Sequence, residues 1–227
     1  MKQIFVISLG GSLIVPKADV IDTAFLKSFY KLIINEVKKG NRFIIVTGGG
    51  KVCRVYQDAL RTISRPSGED LDWMGIYATE LNAQLLRLIF KKQAEISKDV
   101  YYRKIPHKRA IIFAGGHKPG QSSDGAMIKI AVTYGAKAVI NLSNIDYVYT
   151  KDPRKFKDAK KIKKMTWDEL LEITGSKWDP GKNVPFDPTA AKLAKKNKIS
   201  VIIANGKNLK NLKNILSEKK FLGTIIN

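Results

Sequence analysis

The stretch that most limits how this chain can fold is 43–56, which reads FIIVTGGGKVCRVY. Its first five residues are apolar or β-branched, as in a buried parallel strand. Gly48, Gly49 and Gly50 follow, and basic and apolar residues then alternate at helical spacing as far as Leu60. A strand, a glycine turn and a helix in this order direct backbone N–H groups at a phosphate, so the stretch predicts a phosphate-binding turn. A plain tight turn between strand and helix is the alternative.

This turn differs from both common nucleotide-binding loops. A P-loop requires Ser or Thr after its Gly-Lys pair, and Val52 stands there. A dinucleotide fingerprint requires Gly or Ala three residues after Gly50, and Cys53 stands there. Arg54, one turn into the helix, is predicted to add a bidentate contact to a phosphate.

Other predicted strands end in a similar way. The strand at 3–9 runs into Gly-Gly-Ser at 10–12, and the strand at 110–114 runs into GGHKPGQSSD at 115–124. The strand at 137–142 ends in short polar residues. Ligands of open α/β sheets bind beyond the carboxyl ends of the strands. Such strand ends therefore predict two phosphate-bearing ligands side by side.

Strands alternate with helices along the whole chain, which predicts an open, mainly parallel α/β sheet. Helices are predicted at 22–39, 51–60, 166–175, 187–197 and 208–217. Another helix is predicted to begin at 72, and a separate one follows the stretch 115–124 and ends at 134. Two more strands are predicted at 200–204 and 223–226, the last at an edge. The helix from Asp72 is predicted to point these residues inward: Met74, Ala78, Leu81, Leu85, Leu88 and Ile89. Asn82 among them is expected to cap or bridge backbone, and 98–108 is predicted to be a surface connection.

Composition limits the class of protein. The 227 residues are 44% hydrophobic, enough for a full core. No apolar run approaches the roughly 20 residues of a membrane span, and the N-terminus resembles a strand more than a signal peptide. Cys53 is the only cysteine, which excludes an internal disulfide and favours a cytoplasmic location.

The net charge of +21 keeps nucleic-acid binding open. Lysines are spread through the chain, with denser runs at 151–164 and 192–198. Aromatic residues do not alternate with them as in proteins that read single strands. The charge therefore favours a solvated surface that also suits anionic substrates, over nucleic-acid recognition.

The strand-end motifs, taken in order, resemble those of the amino-acid kinase superfamily, most closely the archaeal-type uridylate (UMP) kinases. The matching stretches are 10–12, GGGKVCRVY at 48–56, ATELNA at 78–83, GGHKPGQSSD at 115–124, SNIDYVYTKDP at 143–153 and FDPTAAKLA at 186–194. The resemblance implies one domain over 1–227, a three-layer α/β/α sandwich. Its N-terminal part would bind the acceptor and its C-terminal part ATP. The implied reaction transfers the γ-phosphoryl group of ATP to UMP, giving UDP.

The resemblance also implies roles for individual residues. Those along ATP would be Gly11, Ser12, Gly50, Arg54, Ser143, Tyr149 and Asp152. Those around UMP would be Gly49, Asp72, His117, Lys118, Pro119, Gly120, Gln121, Ser122 and Ser123. The residues at the reacting centre would be Arg54, Asn144 and Asp187. Three residues of these sets also have a purely structural interpretation: Asp72 as a helix start, Tyr149 as a core aromatic and Asp187 as a helix cap.

Mg²⁺ is expected to arrive on the ATP phosphates with few protein ligands, and the resemblance suggests a homohexamer. Three positions depart from the family pattern, namely Ser8, Glu80 and Tyr147. The usual residues there are a lysine, an arginine and a glycine. Loss of a cation at the transferring phosphate lowers the rate unless Lys51 or another lysine substitutes. Two alternatives stay open: a sister kinase acting on isopentenyl phosphate or an amino acid, and a catalytically weak regulator that binds nucleotide or RNA.

Overall fold

Strands and helices alternate in a computed structural model that describes residues 3–106, 108–175 and 184–227. The helices are α1 Gly11–Ile14, α2 Thr23–Lys38, α3 Gly50–Ile63, α4 Gly68–Phe90, α5 Ser123–Tyr134, α6 Trp167–Thr174, α7 Pro188–Lys196 and α8 Leu209–Leu216. The strands are β1 Ile4–Leu9, β2 Arg42–Thr47, β3 Ala94–Ile96, β4 Ile111–Ala114, β5 Ala138–Ser143, β6 Val148–Tyr149, β7 Lys161–Ile162, β8 Lys164–Met165, β9 Ser200–Asn205 and β10 Thr224–Ile226.

Eight of these strands form one sheet in the order β3-β4-β2-β1-β5-β9-β10-β8. Neighbours from β3 to β9 are parallel, β10 is antiparallel to β9, and β8 runs parallel to β10. β6 and β7 form a separate antiparallel pair. The predicted α/β fold with a mainly parallel sheet is confirmed. The carboxyl ends of β1, β2, β4, β5 and β9 consequently meet at one edge.

Both faces of the sheet are covered, which explains why the strands are continuously apolar. In β2, Ile44 and Val46 belong to one core cluster, which also includes residues of α5, α6 and α7. Phe43 and Ile45 belong to the other, with residues of α1, α2, α4 and α8. Successive side chains of a strand point to opposite faces, so one strand contributes to both cores.

Helix ends follow the signals in the sequence. Asp22 caps α2, accepting a hydrogen bond from the Phe25 N–H at 2.9 Å. Thr166 and Glu169 form a capping box at α6. Gly135 ends α5 in a left-handed conformation, with φ +68°. These predicted boundaries are confirmed.

The start of the long helix was predicted four residues too late. α4 begins at Gly68 rather than Asp72, because Ser67 and Asp70 form a capping box upstream. Stretch 64–69, which reads as a loop by its Ser, Pro and Gly content, therefore belongs partly to the helix.

The predicted inward face of α4 was partly wrong. Leu81 and Leu88 are 64% and 53% exposed, whereas Ile76, Leu86 and Phe90 are buried. Apolar residues occur all round this helix, so their spacing does not define a single inward stripe.

Two further predictions are corrected by tertiary contacts. Stretch 98–108 is not only a surface connection, because a 3₁₀ turn at Asp99–Tyr101 buries Val100 and Tyr101 completely. β10 is not an edge strand, since the two-residue β8 pairs with its outer side. Most of the loop expected at 175–185 lies outside the described residues.

Candidate functional site

The glycine loops after β1 and β2 touch each other through their backbones. A Cβ on Gly11 would lie 2.0 Å from the Gly50 nitrogen, and one on Gly48 would lie 2.4 Å from the Gly11 nitrogen. Gly50 has φ +72°, a left-handed conformation that favours glycine. Glycine is therefore required here both for contact between the loops and for the left-handed turn at Gly50.

Backbone hydrogen bonds fix both loops to neighbouring strands. The Gly10 N–H donates to the Leu142 carbonyl at 2.8 Å, and the Gly48 N–H donates to the Leu9 carbonyl at 2.9 Å. The ends of β1, β2 and β5 are thus joined into one rigid edge. α1 and α3 begin at this edge, and their first N–H groups carry partial positive charge there.

Polar side chains of α4 and β2 support these loops from behind. The Asn82 amide donates to the Gly48 carbonyl at 2.7 Å, which confirms the backbone-bridging role expected of it. The Thr47 hydroxyl donates to the Thr79 carbonyl at 2.8 Å, and the Thr79 hydroxyl accepts from the Gly116 N–H at 2.6 Å. Thr79 thereby connects the end of β2 to the loop after β4. Its position in the ATELNA stretch was the only sequence signal for it.

The loop after β4 is also held by α4 and by an aromatic stack. The Asp72 carboxylate accepts from the Gly120 N–H at 2.7 Å. The His117 ring stacks on Tyr101 with centroids 4.3 Å apart, and Tyr102 meets it edge-on. The Tyr101 hydroxyl donates to the Gly115 carbonyl. The structure therefore joins Asp72 to Gly120 and fixes His117 in the same loop by aromatic contacts.

His117 carries an unusual electrostatic environment. Burial, reinforced by the positive charges of Lys129, Lys118 and Lys98, lowers the pKa of His117 to about 4. The imidazole is therefore neutral near pH 7, with one donor and one acceptor nitrogen. In the described part of the chain, both nitrogens are buried without a hydrogen-bond partner, as is the Gln121 side-chain oxygen. Unpartnered buried polar atoms are costly, so this loop has polar groups that a ligand could satisfy.

The end of the same loop is bonded to the start of α7. Ser122 caps α5 by accepting from the Gly125 N–H at 3.1 Å, and its hydroxyl donates to the Asp187 carboxylate. Asp187 in turn caps α7 by accepting from the Thr189 N–H at 2.7 Å. The helix-cap role of Asp187 is therefore observed, together with a contact to the loop.

Asp124 joins this cluster from the first turn of α5. One of its carboxylate oxygens accepts from the Asp187 N–H at 3.0 Å and the other accepts from the Asn141 amide, also at 3.0 Å. Burial, followed by the like charge of Asp187, raises the pKa of Asp124 to about 7, although both hydrogen bonds oppose the rise. Asp124 and Asn141 were not among the predicted site residues.

The polar residues after β5 lie beside the end of β9. The Gly206 N–H donates to the Ser143 carbonyl at 2.8 Å, and the Asn205 amide donates to the Asp146 carboxylate at 3.0 Å. Asn144 is exposed next to Ser143, with their side-chain oxygens 3.5 Å apart. This part of the edge is open to solvent.

Tyr149 and Asp152 are engaged with other side chains. Tyr149 is half-buried and meets Tyr147 edge-on, with ring centroids 6.5 Å apart. Arg154 donates two hydrogen bonds of 3.0 Å to the Asp152 carboxylate. These hydrogen bonds lower the pKa of Asp152. A ligand hydroxyl at Asp152 would therefore have to share the carboxylate with Arg154.

The remaining predicted residues and the departures have clear positions. Ser12 is partly exposed in α1, and Arg54 is exposed in the second turn of α3. Ser8 is buried within β1, and Glu80 forms an ion pair with Lys98. The small Ser8 side chain is compatible with a strand that is covered on both faces.

Two cavities lie at the opposite edge of the sheet. One, of about 210 Å³, lies where β2 and β4 begin, and another, of about 350 Å³, lies where β9 begins. Neither contains a predicted site residue. We place the candidate site at the carboxyl edge because the glycine loops and helix N-termini meet there.

In the described ranges, no group of three or more His, Cys, Asp or Glu side chains could hold a metal ion. Across those same ranges, no helix is both long and apolar enough to cross a membrane.

Comparisons with known proteins identify the family. Residues 3–205 match the model of the amino acid kinase family. A uridylate kinase from Thermoplasma volcanium is 36% identical over 229 residues, covering all of this chain and 98% of that protein. A uridylate kinase from Methanococcus aeolicus is 35% identical, and both chains are covered completely. The crystal structure of uridylate kinase from Archaeoglobus fulgidus has a TM-score of 0.77 at 29% identity, again with both chains fully covered.

Proposed function

We propose that this chain, which belongs to the amino acid kinase family, is a uridylate kinase that transfers the γ-phosphoryl group of ATP to UMP. The observation that carries the proposal is the contact of the two glycine loops at the carboxyl edge. There, the N-termini of α1 and α3 offer N–H groups and positive partial charge to phosphates. The full-length similarity to proteins named uridylate kinase supports UMP as the acceptor.

ATP is assigned to the side of the edge formed by β1, β2 and β5. Its phosphates would lie against Gly11, Ser12, Gly50 and Arg54, where a helix start and a guanidinium provide donors and positive charge. Its adenosine would lie toward the polar residues that follow β5, namely Ser143, Tyr149 and Asp152. Mg²⁺, when bound, neutralises phosphate charge, and we expect it to be carried by the ATP oxygens.

UMP is assigned to the loop after β4 and to the facing part of α4. The contact residues would be Gly49, Asp72, His117, Lys118, Pro119, Gly120, Gln121, Ser122 and Ser123. The neutral His117 ring and the Gln121 oxygen support this assignment, because both lack hydrogen-bond partners among the residues that the structure describes, and a pyrimidine offers donors and acceptors. The N-terminal half of the chain would thus bind the acceptor and the C-terminal half ATP.

The reaction needs little covalent help from the protein. An oxygen of the UMP phosphate attacks the γ-phosphorus as the bond to the bridging oxygen breaks, giving UDP and ADP. Positioning and charge neutralisation supply most of the acceleration in such transfers. We assign charge neutralisation to Arg54 and positioning to Asn144 and Asp187, and a net charge of +21 favours the approach of both anionic substrates.

A homo-oligomer, a hexamer by resemblance, is part of the same proposal. α3 and α4 expose large apolar side chains that a subunit contact could cover: Tyr56, Ile63, Trp73, Tyr77 and Leu81. Sedimentation velocity of the purified chain tests this point separately from activity.

The proposed activity is tested by ADP release in a coupled assay with a panel of acceptors. UMP, CMP, dUMP and isopentenyl phosphate are each supplied with ATP and Mg²⁺. We expect UMP to give the highest kcat/KM. Folded protein that shows no stimulation by UMP above the blank would refute the proposal, and preference for isopentenyl phosphate would identify a sister kinase.

A further inference from the structure

Glu80 and Lys98 form an ion pair beside the start of the loop that follows β4. Glu80 lies in α4, and Lys98 immediately precedes the 3₁₀ turn at Asp99–Tyr101. Glu80 also packs closely against the loop, because a Cβ on Gly115 would lie 2.8 Å from the Glu80 nitrogen and 2.9 Å from its Cγ. The ion pair therefore joins α4 to the 3₁₀ turn at the point where the loop leaves β4.

The 3₁₀ turn holds the aromatic ring on which the loop packs. The Tyr101 hydroxyl donates to the Gly115 carbonyl, and the Tyr101 ring stacks on the His117 ring with centroids 4.3 Å apart. The Tyr101 N–H donates to the Lys98 carbonyl at 3.2 Å, so a shift of Lys98 would also move Tyr101. The loop thus contacts both Glu80 and Tyr101, and the ion pair connects the two elements that contain them.

The polarity of the pair explains the departure from the family pattern at Glu80, where the usual residue is an arginine. An ion pair forms with either polarity, provided that the partner has the opposite charge. Lys98 has that charge here. Because the side chains of Lys98 and Glu80 are 50% and 31% exposed, the pair contributes little to global stability. Its effect is therefore expected on the position of the loop.

We propose that Glu80 and Lys98 are positioning residues for the acceptor nucleotide, and that their ion pair keeps the Tyr101 ring and the loop after β4 in register with α4. The inference rests on the proposed uridylate kinase function, which assigns UMP to this loop. Neither residue is assigned a contact with the substrate. Both act through Tyr101 and Gly115, so disruption of the pair should weaken the binding of UMP and leave that of ATP unaffected.

Reversal of the two charges, singly and together, tests the inference. Glu80→Lys and Lys98→Glu each replace attraction by repulsion, whereas Glu80→Lys/Lys98→Glu restores an ion pair with the opposite polarity. The net charge rises in the first variant, falls in the second and is unchanged in the double variant. If only the local charge mattered, the two single variants would change the affinity for anionic UMP in opposite directions. Asp168→Lys and Lys195→Glu make the same changes of charge in an exposed ion pair at the opposite edge of the sheet, and they serve as controls.

We expect each single variant to raise KM for UMP about 5- to 20-fold, while KM for ATP and kcat stay within about threefold of the wild type. The double variant should return KM for UMP to within about threefold of the wild type, and the controls should match the wild type. Shifts of KM for UMP in opposite directions in the two single variants would overturn the inference. A double variant no better than the single ones, or an equal rise in KM for ATP, would also overturn it.

The NMR signals of the His117 ring, recorded without nucleotide, provide a readout that is independent of turnover. The chain has two histidines, so the His117 signals are identified by their loss in His117→Phe. Stacking on Tyr101 shifts these signals from the positions of a free imidazole, and a pH of about 8 keeps the ring neutral throughout. Each single variant should move the signals toward those of a free imidazole, and the double variant should restore them. Unchanged signals in the single variants would overturn the inference.

A milder variant covers the case in which a reversed charge prevents folding. Lys98→Met keeps the apolar stem of the side chain and removes the charge, so it should still raise KM for UMP about threefold. An unchanged KM for UMP in this variant would refute the inference. Wild-type protein that forms no UDP would refute the proposed function alone, and the His117 signals would then still decide whether the ion pair positions the loop.

Discussion

The substitution Gly11→Ala tests the contact between the loops of β1 and β2. The added methyl carbon would lie 2.0 Å from the Gly50 nitrogen and 2.6 Å from the Gly48 carbonyl carbon. Ordinary contact begins near 3.4 Å, so the two backbones would have to separate by 3.4 − 2.0 = 1.4 Å. Both obstacles are main chain, so no rotamer change can relieve the overlap.

The cost can be estimated from its parts. Overpacking of a tight site typically costs about 1–3 kcal/mol. A separation of this size would also strain the hydrogen bonds that fix the loops, each worth about 1 kcal/mol. We therefore expect Gly11→Ala to lower the free energy of unfolding by about 3–5 kcal/mol, a large part of the usual total of about 5–15 kcal/mol.

Urea denaturation followed by circular dichroism measures this effect, with Gly68→Ala as the matched control. Gly68 is the first residue of α4, and a Cβ there would meet nothing within 4 Å. The control should be neutral or stabilised by about 0.5 kcal/mol, since alanine is the better helix former. A Gly11→Ala protein within about 1 kcal/mol of the wild type would show that the loops are not in tight contact, and the account of these glycines would fail.

Three other predictions concern the charges of the site and the surface. Arg54→Ala should lower kcat/KM about 100-fold or more if its guanidinium contacts phosphate oxygens. Arg61→Ala, later on the same helix, should leave kcat/KM unchanged. Equal kinetics of the two variants would show that Arg54 does not belong to the site. His117 has a folded-state pKa near 4, below its unfolded value of 6.5, so the wild type should lose stability relative to His117→Phe as the pH falls from about 6.5 to 4; parallel urea midpoints across that range would contradict the lowered pKa. RNA binding should vanish near physiological salt. A salt-resistant complex would instead indicate an RNA-binding regulator if charge reversal at four lysines abolishes it, namely at Lys160, Lys161, Lys163 and Lys164.

The order of strands and helices was predictable because local signals and tertiary structure agree. Strands such as 43–47 are continuously apolar, as a strand covered on both faces must be. Caps such as Asp22 act through hydrogen bonds to neighbours three residues away, which the sequence shows directly. The predictions fail where contacts between distant parts of the chain determine the burial or the pairing of a residue. Tyr101 is buried because the loop after β4 packs on it, and β10 is covered because a two-residue strand pairs with it.

The candidate site was predictable to a similar depth. Glycines at strand ends and their family motifs indicate where ligands bind, but not why each glycine is present. Gly11 and Gly48 must lack a side chain because their backbones touch, although they are 37 residues apart in the sequence. Asp124 stands inside a quoted motif, yet its partners lie in β5 and at α7, so its role depends on contacts that spacing along the chain does not contain.

The central claim is that ATP and UMP meet at the carboxyl edge of this sheet and exchange a phosphoryl group. The most direct measurement follows the γ-phosphoryl group of isotopically labelled ATP, with products separated and identified by chromatography. We predict that the label appears in UDP, that its appearance requires UMP and Mg²⁺, and that Arg54→Ala slows it about 100-fold or more. Label found only in inorganic phosphate, or in another acceptor at a higher kcat/KM than UMP, would contradict the account.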